Sequence, residues 1–282
     1  MKVFGIDFTS APRRGKPITC LSCTLRNGAL KAEGLVNFES FDGFEAALRR
    51  SGPWIAGIDF PFGQSRKFIT AIGWPLDWCD YVNYACGLGR ERFRAALDSY
   101  RAARPRGDKE HRRAADIAAG AISPQKIHGV PVGMMFFEGA RRLLEAGVTI
   151  PHLQRGDPTR FVVEAYPGVL ARRLIGRRSY KNDSKIRQTD QLFAARHDLL
   201  KRIMTGACLA DYGFAVEAPP SLADDPSGDS LDALLCAIQA AWSWRQRHNG
   251  FGAPSNVDPL EGWIADPYAA RPVCWALRLP DP

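Results

Sequence analysis

Five carboxylates stand where residue type and spacing could do chemistry: Asp7, Asp59, Glu164, Asp229 and Asp232. The first two occur in the same tetrapeptide, GIDF, at Gly5–Phe8 and again at Gly57–Phe60. Each copy ends a short apolar run, KVFGIDF or WIAGIDF. Runs of this kind read as buried strands, which seldom carry an unpaired acid. Glu164 repeats the arrangement in FVVEAYP, where a carboxylate ends an apolar strand just before a proline. Asp229 and Asp232 open DSLDALLCAIQAAW, three residues apart and therefore neighbours on a helix surface.

Each acid alone has an ordinary reading. Asp7 and Asp59 could bond turn amides, Glu164 could pair with an arginine, and Asp229 could cap its helix with Asp232 favoured by the dipole. Gathered in one poorly solvated place, the five would repel one another unless something positive joined them. A hard divalent cation, Mg²⁺ or Mn²⁺, meets that need with oxygen ligands. Two such ions ~3.5–4 Å apart can activate water and stabilise the leaving oxygen in phosphodiester hydrolysis. The expectation is a metal site built from Asp7, Asp59, Glu164, Asp229 and Asp232.

The elements that must position these acids follow from the pattern of the chain. KVFGIDF, PITCLSCTL and ALKAEGLVNF read as three hairpin-connected strands, FDGFEAALRR as a short helix with Asp42 as its N-cap, and WIAGIDF as a fourth strand. A right-handed crossover sets strand four beside strand one and parallel to it, so that both GIDF aspartates lie at neighbouring strand ends. Residues from about 62 to 160 read as a mostly helical insertion, and FVVEAY as a fifth strand. In the last helix, Leu231, Leu234, Leu235, Ile238 and Trp242 form one stripe and Ala233, Ala237 and Ala240 the other, a pattern for packing on both sides. One α/β domain spanning 1–282 is expected.

Composition narrows the function classes. The 282 residues are 45% hydrophobic and carry a net charge of +8, which favours an anionic partner such as a nucleic acid. No apolar stretch reaches the ~20 residues that cross a bilayer, no signal-peptide core appears, and a cytoplasmic protein with no membrane partner is expected. Seven cysteines without framework spacing fit a reducing compartment. Cys20 and Cys23 have CxxC spacing, but an alternating strand sends their thiols to opposite faces, so a structural role is expected. HExxH, G-x-S-x-G and G-x-x-x-x-G-K-[ST] motifs are all missing. From Arg90 to Arg113 basic residues outnumber acids, making Arg101, Arg104 and Arg106 candidate phosphate contacts, with Phe93, Tyr100 and the WPLDWCDYVNY aromatics as stacking surfaces or as core.

VFGIDF, IDFPFG, RRAAD, VVEAYPGVL, DSLDALLCAIQAAW and EGWI, in this order, resemble the family of predicted ribonuclease H-like nucleases known as domain of unknown function 429. The resemblance implies a ribonuclease H-like α/β fold: a mixed five-stranded sheet in order 3-2-1-4-5, strand two antiparallel, with the helical insertion between strands four and five. It implies site roles for Asp7, Asp59, Glu164 and Asp232, with Asp229 as a fifth. It also brings in Arg113 and Asp116, expected as an exposed helix salt bridge, and Lys181, expected as a solvated lysine. Arg113 and Lys181 join the candidate phosphate contacts. A metal-dependent nuclease is the expected function. A nucleotide-dependent phosphotransferase or ATPase of the same fold is the alternative, weakened by Phe8 standing where a phosphate loop needs a small residue. The other alternative is an inactive member that binds nucleic acid or protein.

Overall fold

The computed structural model describes residues 1–182 and 185–269. Strands β1 (Lys2–Asp7), β2 (Ile18–Arg26) and β3 (Ala29–Phe38) form an antiparallel meander. Helix α1 (Phe41–Leu48) crosses over to β4 (Trp54–Ile58), which pairs with β1 in parallel. The N-cap of α1 is Ser40, and Asp42, expected to cap it, lies within the first turn instead.

Between β4 and the next long strand come α2 (Arg66–Ala71), α3 (Trp78–Ala102), α4 (Ala114–Ala119), α5 (Val132–Ala146) and a two-residue strand β5 (Val148–Thr149). Strand β6 (Asp157–Glu164), expected as the fifth, pairs in parallel with β4. Then follow α6 (Pro167–Ile175), α7 (Asp190–Arg202), α8 (Cys208–Tyr212), β7 (Ala215–Glu217) and α9 (Asp229–Arg245). The mixed sheet has seven strands in the order β5-β6-β4-β1-β2-β3-β7, against the five expected. The two unforeseen strands, β5 and β7, are the edges, and at two and three residues they are too short for a period-two signal.

Helices cover both faces of the sheet. On one face Ile6, Cys20 and Ile58 pack with Phe44 of α1 and with Phe68, Tyr81, Phe93 and Phe136 of the inserted helices. The inserted segment is therefore one whole layer of the core. On the other face Val3, Leu21, Cys23 and Ile55 pack against α6, α7 and α9. Cys20 and Cys23 are free thiols buried on opposite faces. Helix α9 is buried from Ser230 through Ser243, as its two apolar stripes imply.

Of the inserted aromatics, Trp74, Trp78, Tyr81, Phe93 and Tyr100 take the core alternative, with Phe93 5.0 Å from Phe137, while Tyr84 is 47% exposed. Rings spaced at helical intervals next to a bare sheet face bury more area inward than they could offer a base. No described helix is long and apolar enough to cross a membrane.

Candidate functional site

Each letter of GIDF has a separate physical task. The strand pleat points Val3, Gly5 and Asp7 one way and Ile6 and Phe8 the other. Ile55 and Gly57 of β4, with Asp59 just past its end, share the face of Val3, and the β1–β4 register matches Gly5 with Gly57 and Ile6 with Ile58. Asp7 and Asp59 come next, at the carboxyl ends of two adjacent parallel strands. Ile6, Phe8, Ile58 and Phe60 fill the opposite core, with the Phe8 and Phe60 rings 4.7 Å apart.

The glycines let α9 lie directly on the sheet. A Cβ at Gly5 would fall 1.8 Å from the Ala233 carbonyl oxygen, and one at Gly57 would fall 2.4 Å from that of Cys236. That contact carries the first turn of α9, and with it Asp232, to the strand ends bearing Asp7 and Asp59. Capping falls to neither acid of the helix. Gly228 occupies the N-cap, and Asp225 accepts from the Ser230 amide at 2.9 Å and the Ser227 amide at 3.0 Å. Asp229 and Asp232 are left for other work.

Asp232 is fully buried and carries two partners. The Tyr180 hydroxyl donates to Oδ1 at 2.5 Å, and the Lys181 ammonium is ion-paired with Oδ2. Lys181 is corrected from a solvated lysine: its side chain is 40% exposed but its head group lies among acids. Burial alone would discourage its charge, yet Asp232 and Asp7 hold its pKa well above the usual range. No hydrogen bond among the described residues engages the carboxylates of Asp7 or Asp59. Burial raises the Asp7 pKa well above the carboxylate range, with Lys181 opposing and Asp232, Asp229 and Asp59 adding to the rise. Asp59 is pushed up to about 7 by burial first and by Asp232 next. Burial raises Asp229 as well, against the pull of Lys181.

Glu164 belongs to a different arrangement. It pairs in register with Ile58, so the pleat sends its side chain to the face opposite Asp59. There Arg113 grips it through two N–H···O bonds of 2.5 and 2.8 Å, and the Phe62 amide donates at 2.8 Å. Arg113 also holds Asp116, with its Nη2 2.7 Å from Oδ1. This corrects the exposed salt bridge expected of the RRAAD pair: Arg113 is 1% and Asp116 2% exposed. Burial opposes the Arg113 charge, but Asp116 and Glu164 hold its pKa well above normal. Glu164 still reaches Asp59 electrostatically, raising its pKa slightly further.

Among the described residues no three Asp, Glu, His or Cys side chains are arranged around one point as a metal cage. Of the five acids, Asp7, Asp229 and Asp232 lie about Lys181, Glu164 is held by Arg113, and Asp59 stands between, lining a cavity with each group. The basic arm lies away from these acids. Arg101 pairs with Glu110 at 3.6 Å and Arg104 with Asp108 at 2.6 Å, and neither these nor Arg106 line a cavity at the carboxylates.

Cations do rim the acids, from a different stretch of chain. A cleft of about 470 Å³ has Asp59 and Asp232 in its wall and Arg172, Arg177, Arg178 and Lys181 around it. Arg177 and Arg178 stand with Lys181 in RRSYK, a stretch without periodicity whose signal is its density of basic residues around an aromatic. A second buried network escaped notice. Gln239 of α9 accepts from the Tyr166 amide at 2.9 Å and donates to Asp266 at 2.8 Å, and Tyr212 donates to Asp266 at 2.7 Å.

The family model described as Protein of unknown function (DUF429) matches residues 5–256, a span that includes the GIDF strands, Glu164, Lys181 and α9. The chain belongs to that family. Comparison of this DUF429 chain with curated proteins and with solved structures finds no match in either. Its function therefore rests on the geometry of its own site.

Proposed function

We propose that this DUF429 chain is a ribonuclease H-like, divalent-metal-dependent nuclease that hydrolyses phosphodiester bonds of nucleic acid in the cleft at Asp59. The observation that carries this reading is the placing of Asp7 and Asp59, carboxylates that no described residue hydrogen-bonds, on adjacent strands beside a rim of Arg172, Arg177, Arg178 and Lys181. The order β3-β2-β1-β4-β6 within the larger sheet supports the fold assignment.

The donor set fits a hard cation. All candidate ligands are carboxylate oxygens, and Mg²⁺ takes one or two of these together with water and substrate phosphate, so a three-ligand cage is not required. Asp7 and Asp59 would hold the ion, with Asp232 beside them. When bound, the ion would supply positive charge for the phosphodiester oxygens and acidify a water molecule. The chain's own groups do the rest. Arg177 would hold a flanking phosphate beside Arg172 and Arg178, which already engage the Ala119 carbonyl and Asp198, Lys181 would offset negative charge between Asp232 and the substrate, and Tyr180 fixes the Asp232 carboxylate. Arg113 and Glu164 tie the inserted layer to the end of β6 and so position the wall of the cleft.

The test is hydrolysis of labelled single-stranded and duplex DNA and RNA with Mg²⁺ or Mn²⁺, beside folded Asp7→Asn and Asp59→Asn variants. Metal-dependent cleavage lost in both variants supports the reading, and cleavage that survives them refutes it. A second reading draws on Lys181. An ammonium standing among the acids could neutralise them permanently, as in a member of the fold that binds without cutting. It predicts that the Asp7→Asn, Asp59→Asn double variant keeps full nucleic-acid affinity.

A further inference from the structure

Two cavities meet at Asp59 and Tyr166, which line both. The first is the arginine-rimmed cleft. The second measures about 240 Å³ and has different walls, among them Pro61, Ile122, Val130, Val132 and Met135. Ile122 and Val130 remain 42% and 57% exposed, apolar surface facing an opening beside a charged centre.

The polar end of this second cavity is the Arg113–Asp116–Glu164 network. All five guanidinium N–H groups of Arg113 are spent, on Asp116, on Glu164 and on the Glu261 carbonyl. Asp116 accepts three hydrogen bonds and Glu164 accepts three. A carboxylate offers about four acceptor positions, so each keeps roughly one. That end can therefore accept a hydrogen bond and has no donor of its own left in Arg113. With apolar sides, an accepting end and a mouth adjoining a cationic cleft, the cavity suits a flat ring bearing N–H donors and attached to a phosphate.

We infer that this cavity is a base subsite, taking one unstacked nucleobase with an exocyclic amino group while its phosphate lies in the arginine-rimmed cleft. The inference rests on the nuclease reading and deepens it. At about 240 Å³ the cavity is smaller than the ~300–1,000 Å³ of pockets that hold drug-sized ligands, a size for a single ring system. A base can enter only after leaving its stack, so a single strand or a frayed end is the substrate and an intact duplex is not.

The experiment measures calorimetric binding of CMP, UMP and ribose 5-phosphate in Mg²⁺ to the wild type and to Ile122→Trp and Val130→Trp. These two exposed positions accept a larger ring without a core rearrangement, and each variant's fold is checked by circular dichroism. CMP is expected to bind about tenfold tighter than ribose 5-phosphate and several-fold tighter than UMP, because uracil has a carbonyl where cytosine has its amino group. Both tryptophans should fill the cavity and bring CMP to the level of ribose 5-phosphate. Equal binding of CMP and ribose 5-phosphate, no binding of any of the three, or a CMP advantage that survives both plugs would overturn the base subsite. CMP and UMP binding alike would overturn the amino preference. Oligonucleotide cleavage, assayed separately, reports on the nuclease reading: no cleavage with the CMP preference intact removes the nuclease and keeps the subsite.

Discussion

Gly5 and Ala233 are in backbone contact so close that a Cβ on Gly5 would lie 1.8 Å from the Ala233 carbonyl oxygen. A flexible side chain could yield, but the main chain of a helix buried on all sides cannot. Gly5→Ala should therefore lift α9 off β1 and cost about 3 kcal/mol or more in urea denaturation. Moving α9 also moves Asp232, so Mn²⁺ affinity should fall in any Gly5→Ala protein that still folds. Unchanged stability would mean that α9 does not rest on the strand.

Removing Arg113 should be costly in a different way. Its guanidinium sits between two buried carboxylates, and Arg113→Met leaves both without their cation. Breaking a buried pair of this kind costs about 3–5 kcal/mol. Arg113→Lys should rescue little, because an ammonium cannot grip two carboxylates through planar forks. Denaturation midpoints of the two variants check this, and a fully stable lysine variant would contradict it.

Asp59 should make stability depend on pH. Its pKa is near 4 in an unfolded chain and about 7 in the folded one, so the native state holds a proton that the unfolded state has lost. The contribution is fully present below pH ~4 and disappears as pH rises through about 7. Without divalent ions, the wild type should lose more stability between pH 5 and pH 8 than Asp59→Asn does. Parallel losses in urea midpoints would refute the assignment.

Lys181 and a divalent cation compete for the same acids. Lys181→Met should bind Mn²⁺ about tenfold more tightly than the wild type and be less stable without it. Calorimetry reads the first effect and thermal unfolding in chelator the second. An unaltered Mn²⁺ affinity would separate the lysine from the ion.

Nucleic-acid contacts should map to the cleft rim and not to the end of α3. Arg177→Glu should weaken oligonucleotide binding and lower its salt slope by about 1, whereas Arg104→Glu, already paired with Asp108, should change the slope little. Fluorescence anisotropy across a salt series distinguishes them.

Much of this was legible in the chain because local pattern and global fold agree. The repeated GIDF marks two parallel strands, and the two-sided apolar character of α9 marks a helix under cover. The face Glu164 takes was not legible for a specific reason: a carboxylate at a strand end looks the same whichever face it takes, and a one-residue shift in register reverses the face. Arg113 and Asp116 satisfy the spacing of a surface pair, and only the inserted layer folded over them makes the pair internal. The family resemblance brought in Lys181, but its ion pair with Asp232 carried no local pattern, since its position is set by a loop that meets α9 about fifty residues later.

The resting of α9 on β1 joins residues more than two hundred positions apart. Such a contact forms late, because the chain between its partners must be ordered first. During synthesis Asp7 and Asp59 emerge early, yet they cannot meet Asp232 until α9 has left the ribosome. A nascent or truncated chain would thus carry the acids of the site without the site, and any activity that depends on their union is withheld until the fold is closed.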